Sequence, residues 1–172
     1  TWAKGEAWEL SIHSAPWHSN CETKSVCSLD FFFTSNNKEV LAASDGSVIV
    51  TCEDKDTKTV NIRITDDSGL NTGYYHIKKG TQKIETGDDV VQGQVLGEVW
   101  TGNLSNDCDG GRAVQRHDSG HLHWTLPQIE MVIDGWSFEY PETCMTKGDK
   151  EKCAIDRPQF WSTNKVVEVE AD

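Results

Sequence analysis

The stretch TVNIRIT, residues 59–65, alternates apolar and polar side chains without a break, a period of two that suits a strand and not a helix. In extended backbone Val60, Ile62 and Ile64 fall on one face. The turn sequence DDSG follows, and then LNTGYYHI, so this region predicts a β-hairpin. Other segments follow the same rule. SVIVTC comes after the turn pair Asp45-Gly46, and IEMVIDGWSF reads as a hairpin around Asp134-Gly135. VVQGQVLGEVW carries Gly93 and Gly97 among apolar residues, which predicts tight turns between short strands. No amphipathic helix of ordinary length and no repeat of 20–50 residues is present. The expected fold class is therefore all-β, a mainly antiparallel sheet core with long loops near the amino end, around 101–118 and after Tyr140. Pro141 to Pro158 reads as irregular.

The chain has 172 residues, 36% of them hydrophobic, with seven Trp, which is enough for one folded domain over residues 1–172. It starts at Thr1 with no signal peptide, as a processed or trimmed mature form without its propeptide would. No apolar run approaches the ~20 residues that span a bilayer, so no membrane partner is expected. The formal net charge of −12 argues against nucleic acid, whose phosphates such a surface repels. Six Cys, at 21, 27, 52, 108, 144 and 153, contain no C-x-x-C pair. Three disulfides in an oxidising compartment are the simplest account. Closeness in sequence suggests Cys21–Cys27 and Cys144–Cys153, leaving Cys52–Cys108, although six Cys allow fifteen connectivities.

Chemistry concentrates in three places. In SGHLHWTL a strand puts His121 and His123 on one face and Leu122 and Trp124 on the other. Two imidazoles side by side can share a metal, or one can bind metal while the other moves protons. The plainer reading is a solvated polar face. In PWHSNCETKSVCSLDFFF, His18 and Asp30 flank Cys21 and Cys27. A carboxylate at the edge of an apolar strand needs a charge partner, and a metal would serve, unless Asp30 is simply a turn residue before a core strand. In GYYHIKKG alternation places Tyr74 and His76 on one face and Tyr75 and Ile77 on the other. Tyr74 and His76 could steady an oxyanion and shuttle a proton, or form an ordinary cross-strand pair.

H-x(11)-D, then Y-x-H, then H-x-H, in that order, resembles the lysostaphin-type zinc endopeptidases, most closely their β-lytic, LasA-like (staphylolytic protease) branch. WAKGEAW, AASDGSVI, VVQGQVLGEV and SGHLHWTL are similar to further segments of that branch, so the resemblance covers most of the chain. It implies a single peptidase domain with Zn2+ held by His18, Asp30 and His123. His121 and His76 would be catalytic histidines that do not bind the metal, and Tyr74 the tyrosine of Y-x-H. It also implies the Cys52–Cys108 and Cys144–Cys153 disulfides, with Cys21 and Cys27 an addition. His13 and His117 match nothing. Between Tyr140 and Cys144 the chain has only PET, where related enzymes often carry a longer loop with another tyrosine.

The implied function is a secreted (extracellular or periplasmic), monomeric zinc metalloendopeptidase cutting Gly-rich bonds in peptidoglycan cross-bridges, and in Gly-rich proteins such as elastin. The alternative is a catalytically inactive member of the fold acting as a binding or signalling module. A closed structural zinc site would need four ligands, and this set offers three.

Overall fold

The computed structural model describes residues 7–10, 17–18, 27–33, 36–53, 58–102, 120–126, 130–133, 136–139, 144–153 and 159–161. Every regular element among them is a strand. In chain order they are β1 (Ala7–Leu10), β2 (Trp17–His18), β3 (Cys27–Phe33), β4 (Glu39–Leu41) and β5 (Gly46–Thr51). Next come β6 (Thr59–Thr65), β7 (Asn71–Lys78), β8 (Asp89–Val90), β9 (Val95–Glu98) and β10 (His121–Leu126). The last are β11 (Glu130–Ile133), β12 (Trp136–Glu139), β13 (Cys144–Lys147), β14 (Lys150–Cys153) and β15 (Gln159–Trp161). None of the described residues forms a helix that could cross a membrane.

The main sheet is antiparallel and runs β15-β1-β3-β10-β7-β6-β5-β8, with β2 pairing β3 beside β1. The predicted hairpin is β6–β7. Its turn is set by Asp66, whose Oδ1 accepts from the N–H of Ser68 at 2.9 Å and of Leu70 at 3.0 Å. Gly69 supplies the left-handed residue there, at φ 84°. The second predicted hairpin is β11–β12, with Ile133 opposite Trp136.

One face of the main sheet builds the core. Leu29, Phe31, Leu122, Trp124, Tyr74, Ile62 and Ile64 are all buried on it, in the alternating positions their strands dictate. Burying each large apolar side chain contributes about 1.5–3 kcal/mol. A slip of one residue would turn a whole strand's set to the polar side, so this face fixes the register. The β4–β9 ribbon joins the same core through Val40, Ala42, Ala43 and Leu96, and Trp136 and Met145 join it from the β11-β12-β13-β14 sheet.

Two expectations are corrected. Residues 141–158 are not all irregular, because 144–153 form the β13–β14 hairpin, and the Cys144–Cys153 disulfide joins residues directly opposite each other. Gly93 does lie in a turn, at φ 85°, but Gly97 lies inside β9. It is needed there for closeness: a Cβ would sit 2.7 Å from Ile77 Cγ2 and 3.3 Å from the Gln82 Cα. Cys52 is disulfide-bonded, while Cys108, Cys21 and the 103–118 part of the expected loop lie outside the described residues.

Because Ile77 is itself fully buried, Gly97→Ala should lower the free energy of unfolding by about 1–3 kcal/mol, the range for overpacking a filled core. Urea denaturation with an unchanged m-value would check it.

Candidate metal centre

The polar face of the main sheet is short-range geometry made by three strands. β10 lies between β3 and β7, and His123 is opposite Asp30 on one side and Tyr75 on the other. His121, two residues earlier, is opposite Phe32. Period two therefore sets His121 and His123 on one face, as the sequence predicts, and the pairing adds Asp30 to it from inside β3 rather than from a strand edge.

Asp30 is 1% exposed. A carboxylate buried this deeply stays charged only with close partners. His123 Nδ1 lies 2.8 Å from Asp30 Oδ1, and His121 Nε2 lies 3.6 Å from Asp30 Oδ2. The first is a hydrogen bond, and the second is an electrostatic contact too long to be one. The Tyr75 ring meets His123 edge-on, with centroids 5.2 Å apart.

His76 joins them because β7 does not keep its period. Ile62 pairs with Tyr74 and Val60 with Ile77, so Tyr75 and His76 together stand opposite Asn61. This is a β-bulge, and His76 takes its left-handed conformation at φ 67°. The bulge carries two successive side chains to the polar face. The His76 ring lies 4.8 Å from that of His121 and 6.0 Å from that of His123. The His76 carbonyl is satisfied beside the Ile77–Val99 bridge, where the Trp100 N–H donates to it at 2.8 Å.

The bulge also overturns the pairing of Tyr74 with His76. Tyr74 faces the core at 0% exposure, and its Oη accepts from the Ala43 N–H at 2.8 Å. Burial raises its phenol far above the ordinary value, against the opposing pull of the Ala43 bond. Tyr75 holds the position on the histidine face, a residue that unbroken alternation places wrongly. The signal in the sequence is the spacing of core residues: 72, 74 and then 77, an odd step that a regular strand cannot make.

His18 is on β2, paired with Ser28 two residues before Asp30, on the edge of β3 away from β10. Its side chain, and His13 and His117 entirely, lie outside the described residues. The donor set suits a divalent metal that takes nitrogen and oxygen: a buried carboxylate oxygen facing the His123 nitrogen, with the imidazoles of His121 and His76 beside them. Cys144, Glu151 and Cys153 also converge, but the disulfide consumes both sulfurs.

Burial pushes His76 down to about 4; His123 lowers it further and Asp30 opposes. Folding thus requires neutral His76, whose unfolded value is near 6.5. Its contribution to stability is complete above about pH 6.5 and is lost as pH falls toward 4. For the metal-free protein, the loss should be of the order of 3 kcal/mol, and His76→Gln should flatten that part of the stability–pH curve. Chemical denaturation between about pH 7 and 4 would show it.

Residues 28–134 match the profile of peptidase family M23. Among solved structures, the deep-sea M23 metalloprotease pseudoalterin is 26% identical, with 88% of this chain and 91% of that one covered and a TM-score of 0.57. The catalytic domain of the antimicrobial peptidase lysostaphin from Staphylococcus simulans is 22% identical, covering 56% of this chain and 62% of its own, with a TM-score of 0.39. No curated protein matches the chain.

Proposed function

Because this chain belongs to peptidase family M23, a family of metallopeptidases, we propose that it is a secreted zinc endopeptidase of the LasA-like branch. Its proposed substrates are Gly-rich peptide bonds, in peptidoglycan cross-bridges and in Gly-rich proteins. The carrying observation is the buried Asp30 carboxylate 2.8 Å from His123 Nδ1, with two more histidine rings beside it. The disulfide-bonded cysteines support an extracytoplasmic location.

His18, Asp30 and His123 would hold the zinc. Bound there, zinc supplies a Lewis acid that polarises the scissile carbonyl and lowers the pKa of water. The remaining roles belong to the chain. His121, 3% exposed and 3.6 Å from Asp30, would accept a proton that the carboxylate helps to stabilise. Burial keeps His76 neutral near pH 7, so its ring N–H is available to a developing oxyanion without carrying a charge into the site. Tyr75, half-buried against His123, takes the role that alternation gives to Tyr74.

The test combines metal analysis with hydrolysis of a pentaglycine peptide. Ala at His18, Asp30 or His123 should remove zinc and activity together, and stoichiometric, tightly held zinc in His123→Ala would sink the ligand set. Ala at His121 or His76 should retain zinc and lose about 10²–10⁴ in rate. Tyr75→Phe should lower turnover. Tyr74→Phe should instead cost stability, by about 1–3 kcal/mol, because it leaves the buried Ala43 N–H unpaired. Mass spectrometry of the ends released from purified peptidoglycan identifies the bond.

Charge gives a separate expectation. A −12 protein is repelled by an anionic wall over about 10 Å at 0.1 M salt but only about 3 Å at 1 M. Hydrolysis of whole walls should therefore rise with salt relative to that of a neutral Gly-rich peptide. A flat or falling ratio would show that net charge does not govern access.

A further inference from the structure

Two rings from the neighbouring strands flank His121. His76 of β7 lies 4.8 Å away, at 69° between ring planes. Phe32 of β3 lies 5.4 Å away at 44°, and it is also the residue directly opposite His121 in the sheet. The run DFFF makes this position unusual. Phe31 faces the core and is fully buried, whereas Phe32 stands half-buried on the polar face, two residues beyond Asp30. The core does not require a phenyl there.

The imidazole does. Its outer torsion is broad and roughly twofold, so a histidine ring needs neighbours to settle its orientation. Asp30 Oδ2, at 3.6 Å, is too far from His121 Nε2 to hold the ring by itself as a hydrogen bond. A flat hydrocarbon ring packed against the imidazole excludes rotations that would turn Nε2 away from Asp30. It does so without competing for the nitrogen's lone pair or proton.

We propose that Phe32 is a positioning residue of the peptidase reaction, acting through His121 by restricting its ring to the orientation that faces Asp30. This rests on the role given to His121 above. A misplacement of about 1 Å near reacting groups can cost on the order of 10² in rate, so loss of the wall should be visible in turnover.

The test uses the zinc-loaded chain, pentaglycine peptide, and Phe32→Ala and Phe32→Tyr, each alone and with His121→Ala. Phe32→Ala should lower kcat about tenfold or more with KM within about twofold and zinc still stoichiometric. Phe32→Tyr, which keeps the ring, should stay within about threefold of wild type. In the His121→Ala background Phe32→Ala should have no further effect, because its partner is gone. A second arm needs no activity. In the metal-free protein the His121 imidazole proton resonances, assigned by their loss in His121→Ala, should shift in Phe32→Leu as the ring current disappears. Full additivity of Phe32→Ala with His121→Ala would overturn the proposal, as would an unmoved His121 resonance in Phe32→Leu. A wild-type protein that leaves pentaglycine intact would count against the substrate reading alone, and the resonance arm would still decide Phe32.

Discussion

The bulge in β7 is the constraint on which the rest of the site depends. A regular strand offers every second side chain to each face. β7 must bury Tyr74 and Ile77 in the core and still place Tyr75 and His76 against β10. Only an extra residue opposite Asn61 satisfies both demands. The left-handed backbone at His76 costs on the order of 1–3 kcal/mol, and the packing of Tyr74, Ile77 and Trp124 around it holds that conformation in place. Trp100 completes the device by satisfying the His76 carbonyl, and Ile77 bridges to Val99 beside it.

Burial of one carboxylate gives the site its electrostatic character. Asp30 sits in the central part of the sheet, between apolar neighbours Leu29 and Phe31 that point to the other face. Desolvating an acid is costly unless charge or hydrogen bonds compensate. The two β10 histidines meet it at 2.8 and 3.6 Å, one oxygen each. Under the proposed function, the same groups that compensate the acid would be the ones that hold a metal and accept a proton. Stability and the proposed chemistry would then share one arrangement, and the histidine face could not vary independently of the core face.

Aromatic rings border the histidines on both sides. Phe32 and Tyr75 border the two β10 histidines from opposite strands, each at its own register position. Both are half-buried. His76 contributes a third ring, which burial keeps neutral near pH 7.

Much of this was legible in the sequence. Alternation in TVNIRIT and HLHWTL determined the strands, their core faces and the shared face of His121 and His123. Local turn chemistry determined the β6–β7 hairpin, because Asp66 and Gly69 act within a few residues, and the β11–β12 hairpin pairs as the sequence predicts. The order of the H-x(11)-D, Y-x-H and H-x-H motifs pointed to the family that residues 28–134 match. Tertiary structure decided what depends on distant partners. Gly97 is a packing residue and not a turn because Ile77, twenty positions earlier, lies against it. The β13–β14 hairpin follows from pairing across the Cys144–Cys153 bridge, which propensity alone does not reveal. Tyr75 replaces Tyr74 on the histidine face because β6 supplies one residue where β7 supplies two. Period two is a property of a single strand, but a bulge is a mismatch between two, and it exists only once they are paired.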